Sequence, residues 1–329
     1  GTLYHAVFEG VVQQLIIQQL SLRDISQKAL QQLVADNMAE ITAQPAYQML
    51  QETGKMRATQ HYLAKVSEIL AVNMQRAARV NHAQPKAVER LFGFPNRQSL
   101  PALVVSTPQA TVHLRGKIDR LDSQDPSQVY GTIIDYKSNG KHFDWGQAYD
   151  GRQMQLLTYW QAAQLSAEQL GIEAIGGAFF AKIAPEKLTI KDFKGDVRAM
   201  LRGEIKPEQF KYRGLFISEP AYIDSLETLA EGEGSQFYQL KKKANGELYA
   251  NSDVILPEDF ELLLKRNLDN IQRASAAILS GDFPLSPAEG GLQFTPFTDV
   301  LRFDRALGDQ YKSNTPKNKS DILKLLKAD

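Results

Sequence analysis

Cysteine is absent from this 329-residue sequence. That excludes disulfides, thiolate zinc sites and any iron–sulfur cluster held by this chain. An excess of either charge is also missing: 38 lysines and arginines balance 38 aspartates and glutamates. A neutral chain grips a polyanion only through a local basic patch or a partner. No apolar run is long enough to span a bilayer, no signal peptide is visible, and no membrane contact is expected. There is no G-x-x-x-x-G-K-[ST] phosphate loop, which argues against ATP hydrolysis, and no Gly-x-Ser-x-Gly nucleophile elbow. The first residue is glycine rather than methionine and stands at the edge of a helical pattern. The expectation is a piece of a longer cytoplasmic protein.

What is there is ordinary globular material, 43% hydrophobic and 23% charged. Residues 6–51 carry helical periodicity, Ser21 and Asp24 have the spacing of a capping box, and a third helix is expected over about 56–80. The texture then changes. "ATVHLRGKIDRLD" alternates, "VYGTIIDYKS" is rich in β-branched and aromatic residues, and "SQDPSQ" between them is a turn composition. These read as an antiparallel hairpin. One long helix is expected from "GQAYDGRQMQLLTYWQAAQLSAEQLG", ending at Gly171, then a strand "AIGGAFFAKI", and a helix from Pro257 to Gly281. The last stretch, 311–329, is polar and basic, a frayed helix or a docking segment.

The hairpin carries the chemistry. Val112, Leu114 and Ile118 point one way on its first strand, and His113, Arg115, Lys117 and Asp119 the other. On the second, Ile134 and Tyr136 share one side, Asp135 and Lys137 the other. Burying the apolar set fixes the parity of the register. Paired positions summing to 254 set Asp119 opposite Asp135; a sum of 252 moves them one step apart, and both remain open. Either way two carboxylates and a lysine converge. Facing carboxylates repel unless neutralised, and a divalent cation with oxygen ligands does this. Alone, these three residues are no more than a solvated strand face. Downstream, Gln155 and Tyr159 stand four apart on one helix face.

Taken in order, Gly1 to His5, "GKIDR" with Asp119, "DYKS" from Asp135, and "GRQMQLLTY" with Gln155 and Tyr159 resemble the RecB-like branch of the PD-(D/E)XK nucleases. The likeness is nearest to the C-terminal nuclease domains of the AddB (RexB) components of bacterial helicase–nucleases, over roughly residues 1–305. The resemblance implies an α/β PD-(D/E)XK core, a central mixed sheet flanked by helices, with a helical N-terminal lobe. Its implied bounds are 1–310 for the nuclease domain, with the lobe at about 6–95 and the core at about 96–310, and 311–329 for the tail. It implies Mg²⁺ (Mn²⁺ substituting) held by His5, Asp119, Asp135 and the backbone carbonyl of Tyr136. Lys137 would be the catalytic lysine with Asp119 and Asp135, and Gln155 and Tyr159 would position DNA or brace the site. Glu89 falls where relatives often carry a glutamate. Many relatives close this domain with an iron–sulfur staple; here its C-terminal cysteine positions would be Leu292, Thr295 and Leu301, and packing of Phe294, Phe297, Leu301 and Phe303 is expected in its place. The implied activity is exonucleolytic processing of double-strand DNA ends beside an AddA-type (RexA) partner. The rivals are a nuclease scaffold kept only for DNA binding or contacts with other subunits, and a carboxylate-metal hydrolase acting on another substrate.

Overall fold

Helical periodicity in the first eighty residues becomes three long helices. In this computed structural model, residues 2–124, 129–138, 140–183, 210–288, 290–293, 295–312 and 318–328 are described. In chain order the helices are α1 (Thr2–Ile17), α2 (Gln27–Thr42), α3 (Met49–Glu52), α4 (Gly54–Asn81), α5 (Trp145–Tyr149), α6 (Gln155–Gln164), α7 (Ala167–Leu170), α8 (Pro220–Leu226), α9 (Pro257–Ser280), α10 (Thr298–Leu301) and α11 (Lys319–Ala328). The strands are β1 (Ala83–Phe92), β2 (Leu103–Ser106), β3 (Thr111–Leu114), β4 (Gly116–Gln124), β5 (Tyr130–Lys137), β6 (Ala174–Lys182), β7 (Arg213–Ile217) and β8 (Val254–Ile255). Two compact units form: residues 1–103, 115–143 and 155–257, and residues 104–114, 144–154 and 258–329.

In the first unit, α1 buries Leu3, Tyr4, Val7, Phe8, Val11, Val12 and Leu15, the three-and-four spacing of one helix face. The expected cap at Ser21 is a correction. Ser21 Oγ accepts from the Asp24 amide at 3.2 Å and donates to the Asp24 carboxylate at 2.7 Å, but this box closes a turn before α2, and Ser26 caps α2 by accepting from the Ala29 amide at 3.1 Å. A second correction concerns residues 83–92. They lie inside the expected helical lobe but form β1, because His82 takes a left-handed conformation (φ 51°) and ends α4.

The first unit's sheet runs β1-β4-β5-β6-β7-β8, with β5–β6 and β7–β8 parallel and the other pairs antiparallel. Arg120 stands opposite Ile134 and Leu121 opposite Ile133. Paired positions therefore sum to 254, and Asp119 falls opposite Asp135. The expected first strand is not continuous. Residues 111–114 pair with β2 in a separate two-stranded sheet, and Gly116 opens β4. A Cβ at Gly116 would stand 2.7 Å from the Phe92 ring, so this entry to the sheet needs glycine. Ile134, Tyr136, Phe179 and Phe216 join the core built by α1, α2 and α4, and α6 packs on β5 and β6. The hairpin thus lies mid-sheet, and Asp135 is 1% exposed rather than solvated. Beneath it, Arg120 is fully buried and bidentate to Asp122, at 2.6 Å on both contacts. Such a pair tolerates burial only because both charges are fully hydrogen-bonded.

The expected long helix is three short ones. Asp144 caps α5, Gly151 (φ +77°) breaks the path, α6 restarts at Gln155, and Gly171 (φ +62°) ends α7. In the second unit, the Asn270 amide donates to the carbonyls of Ala148 and Tyr149 and so ties α9 to α5. The polar tail is a docked helix there: α11 buries Ile322 and Leu326, and Lys327 pairs with Asp259 at 2.7 Å. The expected aromatic packing near the C-terminus is not found. Phe297 is 61% exposed and Leu301 37% exposed. Phe303 meets Tyr311, with ring centroids 4.7 Å apart. No other described ring meets Phe303, and Phe294 lies outside the described residues. The physical reason is that Phe297 precedes, and Leu301 ends, a four-residue helix that buries no side chain.

Candidate active site

Four elements of the first unit meet at the middle of the sheet. Strand alternation puts Asp135 and Lys137 on one face of β5. The Lys137 ammonium pairs with Asp135 Oδ2. Helix α6 starts there, and its first residue, Gln155, bridges the pair. Gln155 Nε2 donates to Asp135 Oδ1 at 2.9 Å, and its Oε1 accepts from Lys137 Nζ at 3.0 Å. The same amide reaches the Tyr159 hydroxyl at 3.0 Å, one helical turn on. Tyr159 is braced edge-on by Phe92.

Asp119 comes from β4 and is 8% exposed. Its Oδ2 accepts from the Tyr136 backbone amide at 2.9 Å and faces His5 Nδ1 at 3.7 Å. His5 lies on α1, its ring edge-on to Tyr136 at 5.9 Å. Sequence position placed His5 far from the hairpin; the packing of α1 against the sheet brings it in. Glu89 occupies the register position opposite Asp119, because Val88 pairs with Arg120 and Arg90 with Ile118. It forms an ion pair with Lys117 and holds a left-handed φ of 51°. Such a backbone is costly for a side chain with a Cβ and collects at functional sites.

Burial pushes the Asp135 carboxyl up to about 6; the charge of Asp119 adds to this, and the Lys137 hydrogen bond opposes it. Burial also pulls the His5 imidazole below its ordinary value, against the pull of Asp119 and with the push of Lys137. Burial raises the Tyr159 phenol. A buried carboxylate beside a second one lacks enough positive charge for full ionisation, and that deficit is what a cation relieves.

By donor type the set suits a hard divalent cation: two carboxylates, an imidazole and the Tyr136 carbonyl. Among the described residues, no three acid or imidazole side chains already stand in a metal-holding group. The reason is visible: Lys137 and Gln155 hold Asp135, and the Tyr136 amide holds Asp119. Sequence reasoning missed Lys141 and Phe180. Lys141 follows the strand end, where alternation no longer applies. Phe180 reads only as a core aromatic.

Residues 1–290 match the PD-(D/E)XK nuclease superfamily. The chain belongs to that superfamily. Its full length is 99% identical to a segment of an ATP-dependent helicase/deoxyribonuclease subunit of Leuconostoc citreum (strain KM20). The protein of that name from Leuconostoc mesenteroides is 56% identical over 99% of the chain, and that from Oenococcus oeni 32% identical over 98%. The chain spans 28–29% of the length of these relatives. No helix among the described residues is long and apolar enough to cross a membrane.

Proposed function

We propose that this chain is a divalent-metal-dependent deoxyribonuclease module that hydrolyses DNA phosphodiester bonds at the Asp119–Asp135–Lys137 site. The observation that carries the reading is the Gln155 bridge. A half-buried amide holds a carboxylate and an ammonium toward each other, an arrangement that serves positioning. His5, Asp119, Asp135 and the Tyr136 carbonyl would hold Mg²⁺, with Mn²⁺ as a substitute. When bound, it would polarise a phosphodiester oxygen and raise the acidity of the attacking water. Lys137 places a positive charge where negative charge builds on the transferred phosphate. Gln155 keeps Lys137 and Asp135 in register, and Tyr159 braces Gln155. Glu89, opposite Asp119, would serve as an accessory acidic residue. At pH 7 and above Asp135 is mostly ionised, as a cation ligand must be.

The names of the relatives support a wider proposal. In the full-length protein, the module would act exonucleolytically on double-strand ends for recombinational repair in the cytoplasm, paired with an AddA-type (RexA) helicase–nuclease partner. The test uses end-labelled linear DNA. Cleavage is expected with Mg²⁺, none with EDTA, and a fall to background for Asp135→Ala with the fold retained by circular dichroism. A second reading, a silent nuclease scaffold that binds DNA or another protein chain, draws on the ion pair that now occupies Asp135. It predicts intact DNA with the wild-type chain under every metal condition.

A further inference from the structure

Beyond its C-terminal end at Lys137, β5 gives way to a loop that carries Lys141. The loop turns Lys141 back over the sheet. Its ammonium lies 5.0 Å from the centre of the Phe180 ring, and that of Lys137 lies 5.7 Å from the same ring. Phe180 stands opposite Asp135 in the β5–β6 register and is 1% exposed. Two ammonium groups therefore lie against one aromatic ring beside one carboxylate.

The charges around them do not balance. Asp135 is taken by Lys137 and by the Gln155 amide. Among the described residues, Lys141 Nζ has no hydrogen-bonded anion. Its neighbours are the ring, the like charge of Lys137 and the more distant pull of Asp135. A cation–π contact is a modest attraction. It does not replace a counter-ion for an ammonium held half-buried beside a second one. Packing alone does not explain the arrangement, since a neutral side chain would cover Phe180 without the repulsion. An anion arriving from solvent does explain it, and lysine is a point-charge phosphate binder.

We infer that Lys141 is a substrate-contacting residue of this site: its ammonium grips a backbone phosphate of the DNA strand next to the phosphate served by Lys137. The inference rests on the nuclease reading for its substrate class. It adds a residue that sets affinity rather than chemistry. Lys137 acts on the phosphate that is cut, whereas Lys141 contributes equally to ground state and transition state. Losing Lys141 should raise KM and leave kcat in place.

The experiment compares the 329-residue chain with Lys141→Ala, Lys141→Arg and Lys137→Ala. Two readouts are used: cleavage of linear DNA with Mg²⁺, and anisotropy of a fluorescein-labelled single-stranded oligonucleotide in EDTA across a salt series. Lys141→Ala is expected to weaken binding roughly tenfold, in line with one hydrogen bond to a charged group. It should raise KM to match, preserve kcat, and reduce the slope of log affinity against log salt by about 0.7. Lys141→Arg should restore the slope. Lys137→Ala should lose kcat. Unchanged binding and slope for Lys141→Ala, with melting temperature intact, would overturn the inference, and so would a loss confined to kcat. The two readings fail separately. Binding that depends on Lys141 without any cleavage sinks the nuclease reading and keeps Lys141; cleavage indifferent to Lys141 does the reverse.

Discussion

At the scale of the residue, Asp135 concentrates the conflict between stability and chemistry. Its carboxyl is raised to about 6 by burial, against an ordinary value of 3.8. A carboxyl raised on folding contributes stability below its unfolded value and loses it as pH rises through the folded one. By linkage this amounts to about 3 kcal/mol against the metal-free fold above pH 6. Asp135→Asn should therefore melt at a higher temperature than wild type at pH 7.5 in EDTA, with the gap narrowing at pH 4.5. A lower melting point at both pH values would show that the Lys137 ion pair outweighs the burial. Gln155 touches both Asp135 and Lys137. Removing such an outer partner typically costs 10–100-fold. Gln155→Ala should lower kcat by about that factor while the melting temperature stays near wild type.

At the scale of the element, the sheet's register controls everything above it. Gly214 on β7 lies against the backbone of β6, and a Cβ there would collide with the Ala178 carbonyl oxygen and the Phe179 Cα. No side-chain rotation relieves a clash with backbone. Gly214→Ala should cost about 2–3 kcal/mol or more, at the upper end of overpacking, read by urea denaturation. The strands that alternation specified were legible as strands: 130–137 and 174–182 follow the β-branched and aromatic runs. The long helix after the hairpin was not legible in its broken form. Gly151 and Gln153 sit within a run of helix-compatible residues, and the break is stabilised by contacts within the second unit, where Asn270 holds the end of α5. Residues 83–92 were missed as a strand for a similar reason. Their periodicity is weak because most are only half-buried on both faces, and β1 exists because β4 pairs with it.

At the scale of the whole molecule, equal numbers of acidic and basic residues leave no net charge. Neutral proteins self-associate most readily at their point of zero charge. Light scattering at low salt should show more association near pH 7 than at pH 9, and added salt at pH 7 should reduce it; a flat profile would count against this. On the proposed nuclease reading, that neutrality leaves the grip on DNA to local basic groups, such as Lys137 and Lys141, or to a partner rather than to net charge. The order of motifs along the chain, the absence of thiolates, and the presence of two carboxylates, a lysine, a glutamine and a tyrosine at strand and helix spacing are properties of the sequence by itself. They follow from local periodicity, where burial of one face dictates which residues share a side. Only the tertiary structure decided that Asp119 faces Asp135 rather than lying one step away. It also decided that α1 carries His5 to Asp119, that Glu89 lies across from Asp119, and that Lys141 folds back over Phe180. These are contacts between segments distant in sequence, and they form only when helices and strands compete to bury their apolar faces against one another.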